Sequence, residues 1–351
     1  WVTTDLLTHP SDTSGKEDLV SVDPNHIYPQ GEMSEVGEFA SYHIYPYYPE
    51  YLIYDAKYQG FKDHRGEENH YAAYLKELKE AHRLPIIVAE FGIPSSRGRT
   101  HNGPDNKHQG FISESEQGEL VSKMYEDIME ANYLGGLVFS WQDEWFKRTW
   151  NTMDYDDPDR RPYWSNAQTS EQQFGLLSFD RHKIKVDGSV DEWDAPALYE
   201  DHLYIDHDER YLYVRLEGVN KQAGTPMILF DTIQKQGNHT LNTVDNLTFS
   251  NGVDIIAQID GADSRMLVDS YYDIHNQQYG IELKMTPANP RYPKNNSGIF
   301  KPMKYVLNNE IYLQDTDVYI PFTSYETGKL REGNGNPEAA SYDSLADYTL
   351  T

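Results

Sequence analysis

The sequence predicts an α/β fold followed by an all-β one, and three observations carry that prediction. Apolar strand-like runs alternate with segments of helical period as far as residue 182. Beyond it, short alternating runs separated by Gly, Asp and Asn follow one another with no helix between them. The chain of 351 residues is too long for one average domain and comfortable for two. Residues 1–182 are therefore expected to form parallel βα units, and residues 183–351 an antiparallel β-sandwich.

Taken in order, "EFASYHIYPYYP" (38–49) is a strand running into a proline-broken loop. "GEENHYAAYLKELKEAH" (66–82) places Tyr71, Tyr74, Leu75 and Leu78 at helical spacing and predicts a surface helix. "LPIIVAEFG" (84–92) is a short β-branched strand that ends on Glu90 and breaks at Gly92 and Pro94. In "SESEQGELVSKMYEDIMEANY" (113–133), Ser113 and Glu116 form a capping-box pattern, and Leu120, Met124, Ile128 and Met129 an apolar stripe. "LGGLVFSWQDEW" (134–145) is a further buried strand. In the second half, "HLYIDHDERYLYVRLEG" (202–218) predicts a hairpin. "GTPMILFDT", "VDIIAQIDG", "SRMLVDSYYD", "QQYGIELKM" and "TDVYIPFTSY" continue as strands, and "EGNGNPEAAS" as a loop.

Composition excludes several classes of function. Net charge is −27, from 57 acidic against 30 basic side chains, so clustered Lys and Arg for a nucleic acid or an anionic membrane are not expected. No apolar run approaches the ~20 residues that span a bilayer. The absence of cysteine removes disulfides and thiolate metal sites, and fits an exported bacterial protein. The chain opens on Trp1 without an initiator Met, which reads as a piece of something longer. Its 28 Tyr and 6 Trp offer flat faces with polar edges, equally suited to sugar rings and to a Tyr-rich core.

Three strand ends carry chemistry-bearing groups. The first offers His43 and Tyr45, two residues apart and so on one strand face. The second ends on Glu90, and the third on Trp141, followed by Asp143, Glu144, Trp145, Lys147 and Arg148. In a βα barrel, such ends point into the active site. A His-x-Tyr strand, then a Glu-ending strand, then a Trp-ending strand resembles strands six to eight of the clan A glycoside hydrolases. That resemblance covers roughly residues 1–180 and implies the second half of a (β/α)8 TIM barrel, with "WVTTDLLTHP" near the end of strand five. It implies Glu90 as the nucleophile, Tyr45 as its hydrogen-bond partner, His43 flanking it, and Trp141 as the sugar platform. The site residues expected to bind substrate are Trp141, Asp143, Glu144 and Trp145.

Alternatives stand beside each assignment. Glu90 could cap a helix or pair with Arg97 or Arg99, and His43 could be a loop histidine. Asp143 and Glu144 could only salt-bridge to Lys147 and Arg148. The clan's acid/base, a glutamate after Asn at the end of strand four, has no counterpart here, since "NNEIYL" (308–313) lies in the sandwich. The resemblance thus implies half a barrel with one of two catalytic carboxylates, covered by a missing N-terminal half or by self-pairing. "DYDDPD" (154–159) lacks the Gly and Glu of a calcium loop and reads as solvated. Asn238 and Asn246 begin Asn-x-Thr triplets, acceptors only in a eukaryotic secretory setting.

The second domain opens "IKVDGSVDEWDAP" (184–196), which resembles family 9 carbohydrate-binding modules and the related DOMON-type sandwiches. That likeness leaves room for a structural calcium in the sandwich; no other cofactor is expected. Trp193 reads as packing, and Tyr271 and Tyr272 as candidates for a binding face. The functional expectation is part of a retaining glycoside hydrolase acting on a β-linked poly- or oligosaccharide, extracellular or at a bacterial cell surface. The rival expectation is a non-catalytic carbohydrate-binding or scaffolding part of a larger polysaccharide-processing protein, including one fused to a glycosyltransferase.

Overall fold

The computed structural model describes residues 24–49, 51–153, 168–178, 183–194, 196–198, 202–208, 211–220, 224–288, 296–313, 317–332 and 346–348. The expectations for "WVTTDLLTHP", "DYDDPD" and all but the first residue of "EGNGNPEAAS" fall outside these residues. The chain forms two compact units. One takes in Trp1–Lys147, Ser170–Ser178 and Asn308–Pro321, and the other Arg148–Thr169, Phe179–Leu307 and Phe322–Thr351. The units interleave along the chain, whereas the sequence suggested one boundary near residue 182.

The first unit is built on a parallel three-stranded sheet. Strands β1 (Ala40–His43), β2 (Ile86–Phe91) and β5 (Gly135–Val138) lie in the order β1-β2-β5. A short hairpin, β3 (Arg99–His101) with β4 (Gln109–Gly110), rises from the loop after β2. Helix α1 (Tyr51–Tyr54) is a single turn. Helices α2 (His70–Ala81) and α3 (Glu114–Glu130) are the crossovers between β1 and β2 and between β2 and β5. These βα units are as the period predicted, but among the described residues the sheet does not close into a barrel.

Local chemistry accounts for both crossover helices. Asn69 caps α2 by accepting from Ala72 N–H at 3.2 Å, and Tyr71, Tyr74, Leu75 and Leu78 are buried as their spacing required. Ser113 and Glu116 close the capping box of α3. Its stripe is narrower than expected: Met124 and Ile128 are fully buried, but Met129 is 47% exposed and Asp127 turns inward instead. Both helices cover one face of the sheet, where Ala40, Tyr42, Ile86, Val88 and Phe91 join Leu75, Leu78, Met124 and Ile128 in one core. Gly136 admits that packing, since a Cβ there would meet Phe91 and Ile128 at about 3 Å. A hairpin from late in the chain, Ile311–Leu313 with Val318–Ile320, buries Leu313 and Ile320 in the same core.

The opposite face of the sheet is open among the described residues. Ser41 and His43 are exposed there, and Leu137 is 57% exposed. The pairing of β2 carries a bulge toward both neighbours. Tyr42 pairs with Val88 but His43 pairs with Glu90, and Val88 and Phe91 oppose Gly136 and Val138. Ala89 is therefore the extra residue, and it turns Glu90 onto the open face that strict alternation would deny it.

The second unit is mostly antiparallel β. Strands β6 (Leu203–His207) and β7 (Leu212–Leu216) form the predicted hairpin, with Leu203 opposite Leu216. Strands β8 (Met227–Phe230), β9 (Ile255–Gln258), β10 (Arg265–Asp269), β11 (Phe300–Asn308) and β12 (Thr323–Thr327) form a sheet ordered β12-β11-β10-β9-β8. "QQYGIELKM" is not a strand: Asn276–Glu282 is a π-helix. Asp273 seeds it by accepting from Asn276 N–H at 3.0 Å, and Tyr279 docks against His275 and Phe322. Asn238 is fully buried and accepts from Gly298 N–H at 2.8 Å, so its triplet is structural rather than an acceptor site. Trp193 is half-buried under the Arg215 guanidinium, which agrees with a packing role.

One buried group makes the first unit acid-sensitive. His70 Nε2 donates to the Pro46 carbonyl at 2.6 Å, and its buried Nδ1 has no partner among the described residues. Burial depresses its pKa from 6.5 to about 4. Between those pH values the unfolded chain binds a proton that the folded chain refuses, so stability is complete above the unfolded pKa and is lost as pH falls. The loss approaches about 3 kcal/mol at pH 4 from this residue. Half-buried His101 and His108 act in the same direction. Thermal unfolding followed from pH 7 to pH 4.5 should show a falling Tm, and His70→Gln should flatten that slope measurably.

Candidate active site

The bulge sets Glu90 among the donors of the neighbouring strand. Tyr45 Oη donates to Glu90 Oε2 at 3.0 Å, and His43 Nδ1 lies 3.1 Å from the same oxygen. Glu90 Oε1 accepts no hydrogen bond from the described residues, and the side chain is 32% exposed. Glu90 thus neither caps a helix nor pairs with Arg97 or Arg99, as the alternative readings had it. Burial, then the adjacent Glu90 charge and the hydrogen bond to it, push the Tyr45 hydroxyl well above its usual range. It therefore stays a donor throughout the working pH range.

Tyr45 is held by its ring. Tyr47 lies 5.7 Å away, and Phe174 meets it edge-on at 6.1 Å. Tyr47, Ile93, Ile112 and Phe174 form a small buried cluster beneath the site. Gly92 lets the next strand pass close by, because a Cβ there would sit 2.3 Å from the Phe139 carbonyl oxygen. Phe139 N–H in turn donates to Phe91 O at 2.8 Å.

The loop after β5 is laced to segment 170–178. Ser140 N–H donates to Phe174 O at 3.0 Å, Leu177 N–H to Trp141 O at 3.1 Å, and Glu144 N–H to Gln172 O at 2.9 Å. Asp143 Oδ1 accepts from Gly175 N–H at 3.0 Å, which makes it a loop clamp. Glu144 ion-pairs with Lys147 at 2.9 Å, the salt-bridge reading of the sequence. Trp145 is half-buried, edge-on to Phe146 at 5.9 Å. Trp141 is 70% exposed, a large flat apolar face open to solvent.

One acidic residue of this region escaped the sequence. Glu171 lies in the laced segment, its Oε1 accepting from Gln109 Nε2 and its Oε2 3.9 Å from Lys147 Nζ. Burial raises its pKa, and the Glu144 and Glu90 charges add to that rise against Lys147 and Gln109. "TSEQQFG" has no strand or helix period, so nothing in the local sequence marks it.

A second carboxylate cluster in the same unit has ligand-like spacing but another role. The ligand atoms of Asp63, His64 and Asp127 lie within 4.8 Å of one another. Arg65 already occupies the space between the carboxylates, at 2.7 Å from Asp63 and 2.5 Å from Asp127. Asn69 Nδ2 donates to both, at 3.0 and 2.7 Å. Burial pushes Asp63 up, but hydrogen bonds from Asn69, Arg65 and the Glu67 and Arg65 backbone hold it below the usual carboxylate range. Guanidinium and amide satisfy this pair, and a cation would have to displace Arg65. The cluster lies in the first unit, not in the second, where the sequence left room for a calcium.

In the second unit, Tyr272 Oη donates to Asp254 at 3.2 Å and Gln236 at 3.0 Å, a structural use of the hydroxyl. Tyr271 is 43% exposed and edge-on to Tyr272. Compared with family models, curated proteins and solved structures, the chain matches none.

If Arg65 is a structural counter-ion, Arg65→Leu should destabilise the protein by about 3 kcal/mol, by leaving two buried carboxylates uncompensated. Urea unfolding measures that loss. Millimolar Ca²⁺ or a chelator should leave the wild-type midpoint unchanged; a cation-dependent shift abolished by Asp127→Asn would refute the assignment.

Proposed function

We propose that this chain carries the nucleophile of a retaining glycoside hydrolase acting on a β-linked poly- or oligosaccharide. The observation that supports this best is the division of labour on Glu90. One oxygen is held by a tyrosine hydroxyl and a histidine ring, and the other is unencumbered and open to solvent. A carboxylate that attacks an anomeric carbon needs that arrangement: aimed by hydrogen-bond donors at one oxygen, with a lone pair available on the other. A structural carboxylate is instead satisfied on both oxygens, usually by a cation.

The surroundings fit the same reading. The exposed Trp141 indole offers a sugar ring a stacking face. The three parallel strands with their two crossover helices fit a segment of a (β/α)8 barrel of the clan A type, with Glu90 at a strand's C-terminal end. The second unit fits an accessory carbohydrate-binding sandwich, and an acidic chain without cysteine fits an extracellular or cell-surface setting. The exposure of Trp141 also favours a second reading, a non-catalytic sugar-binding module in a larger polysaccharide-processing protein. Under it, sugar affinity survives the loss of Glu90 and turnover never appears.

The experiment is to express the full-length protein as wild type, Glu90→Gln and Tyr45→Phe and to assay panels of aryl β-glycosides. Glu90→Gln should lose about a thousandfold or more in kcat, because the attacking lone pair is gone. Tyr45→Phe should lose about a hundredfold, with little change in Tm. Equal activity in wild type and Glu90→Gln removes Glu90 from the mechanism. Sugar binding without turnover, unchanged in Glu90→Gln, supports the second reading.

A further inference from the structure

We propose that Asp254 and Asp269, a buried cross-strand pair in the second unit, hold one proton between them, and that its loss as pH rises releases the turn Ser270–Tyr272. Strands β9 and β10 are antiparallel, with Ile255 opposite Val268 and Ile256 opposite Leu267. One step farther, the same register sets Asp254 opposite Asp269, whose N–H donates to Asp254 O at 2.8 Å. Directly opposed side chains share a face, with Cβ atoms about 5 Å apart, and like charges there repel. That face is the apolar one. Ile256, Leu267 and Phe300, which lies opposite Asp269 on β11, pack together on it. Asp254 is 1% exposed and Asp269 is fully buried.

The two carboxyls are held differently. Asp254 Oδ2 accepts from Thr232 N–H at 2.6 Å, Ile233 N–H at 2.7 Å and Thr232 Oγ1 at 3.2 Å, and its Oδ1 from Tyr272 Oη at 3.2 Å. Asp269 Oδ1 accepts from Tyr271 N–H at 3.0 Å, but its Oδ2 is buried with no hydrogen-bond partner among the described residues. An ionised oxygen buried without a donor or a cation is costly, and a proton on Asp269 removes that charge. Among the described residues no cation offsets it. Lys301 stands opposite Val268 and so on the other face, Arg265 is engaged with Asp263 and Glu326, and Lys235 and His239 are exposed. The other groups toward the pair are Tyr271 and Tyr272 from the turn and Gln236 and Asn238 from the preceding loop. With the Asp254 oxygens taken, a single open carboxylate oxygen is too few to hold a metal ion.

Electrostatics point the same way. Burial raises the Asp269 pKa and the Asp254 charge adds to the rise, against the Tyr271 backbone and the Asn238 amide. The folded chain thus keeps a proton that the unfolded chain gives up. Stability from the pair is complete below the ordinary aspartate value of about 3.9 and is lost as pH rises through the folded one. That sign is opposite to the sign of His70. Once ionised, Asp269 reaches water only by turning out of the apolar face, and that movement gives up the Tyr271 N–H. The freed turn carries the Tyr271 ring, which is 43% exposed and edge-on to Tyr272 at 5.5 Å. Burial, then the Asp254 charge, pushes the Tyr272 hydroxyl well above its usual range, so Tyr272 stays a donor while Asp269 titrates.

The test uses the full-length protein as wild type, Asp269→Asn and Asp254→Asn. Asparagine at 269 copies the shape of the neutral acid and cannot ionise. The carboxyl ¹³C signal of Asp269 should titrate above the ordinary aspartate range in wild type and move down in Asp254→Asn. Amide protection of Tyr271, corrected for the intrinsic exchange rate at each pH, should fall about tenfold or more from pH 5 to pH 9 in wild type and stay level in Asp269→Asn. A titration in the ordinary range, a titration indifferent to Asp254→Asn, or the same fall in protection in both proteins overturns the proposal. So does a wild-type titration abolished by millimolar Ca²⁺, which would make Asp269 Oδ2 a cation ligand. If either variant does not fold, the wild-type titration decides by itself.

Discussion

The candidate site depends on one backbone irregularity, the extra residue that Ala89 inserts into β2. In a parallel sheet covered on one side by helices, alternation decides which side chains are buried. Ile86 and Val88 face the helices, and strict alternation would send Glu90 after them into an apolar core. A bare carboxylate there would cost several kcal/mol or stay protonated. The bulge instead gives Ala89 and Glu90 consecutive half-buried positions and returns Phe91 to the core. Apolar packing of Val88 and Phe91 on either side thus stabilises the turn that exposes the acid. Gly92 completes it by letting Phe139 approach.

That constraint also explains what the sequence could and could not reveal. The helix stripe Tyr71–Leu78 and the Ser113–Glu116 capping box are local, and both were legible as patterns of three and four residues. Glu90, Tyr45 and His43 were legible because each closes or follows an apolar run. The bulge was not, since it exists only in the pairing of β2 with two strands some 45 residues away on either side. Strict alternation along "IIVAEF" would even have argued against an outward Glu90. Met129 failed as a core residue because Asp127, two positions earlier, is drawn inward by Arg65 and Asn69. The π-helix at Asn276–Glu282 was hidden because "QQYGIELKM" alternates like a strand, while an Asp273 cap and a Tyr279 docking site decide otherwise. Glu171 was invisible for a further reason: its meaning comes from Gln109 and Lys147, both distant in sequence.

Charge is the second organising fact. In a chain of net −27, any concentration of carboxylates must be offset locally or stay partly protonated. Lys147 faces two glutamates, Glu144 at 2.9 Å and Glu171 at 3.9 Å, and rests over the Phe139 ring at 4.3 Å. One positive charge cannot neutralise Glu90, Glu144 and Glu171 together. Burial, with the Glu144 and Glu90 charges, raises the Glu171 pKa against the pull of Lys147 and Gln109.

The two carboxylate clusters of the first unit make the contrast that supports a chemical role for one and a structural role for the other. Asp63 and Asp127 are each 1% exposed, and a shared guanidinium and a shared amide leave no lone pair directed at solvent. Their substitution would disturb the seam between the capping residue of α2 and the side of α3, and nothing a ligand could reach. Glu90 has the opposite profile. Its donors are a tyrosine hydroxyl and a histidine ring, its second oxygen is open, and it stands on an uncovered sheet face beside an exposed indole-bearing loop. Folding stability gives no reason to place a carboxylate at a bulge, hydrogen-bond half of it and leave the rest to water. The proposed reaction at that free oxygen would.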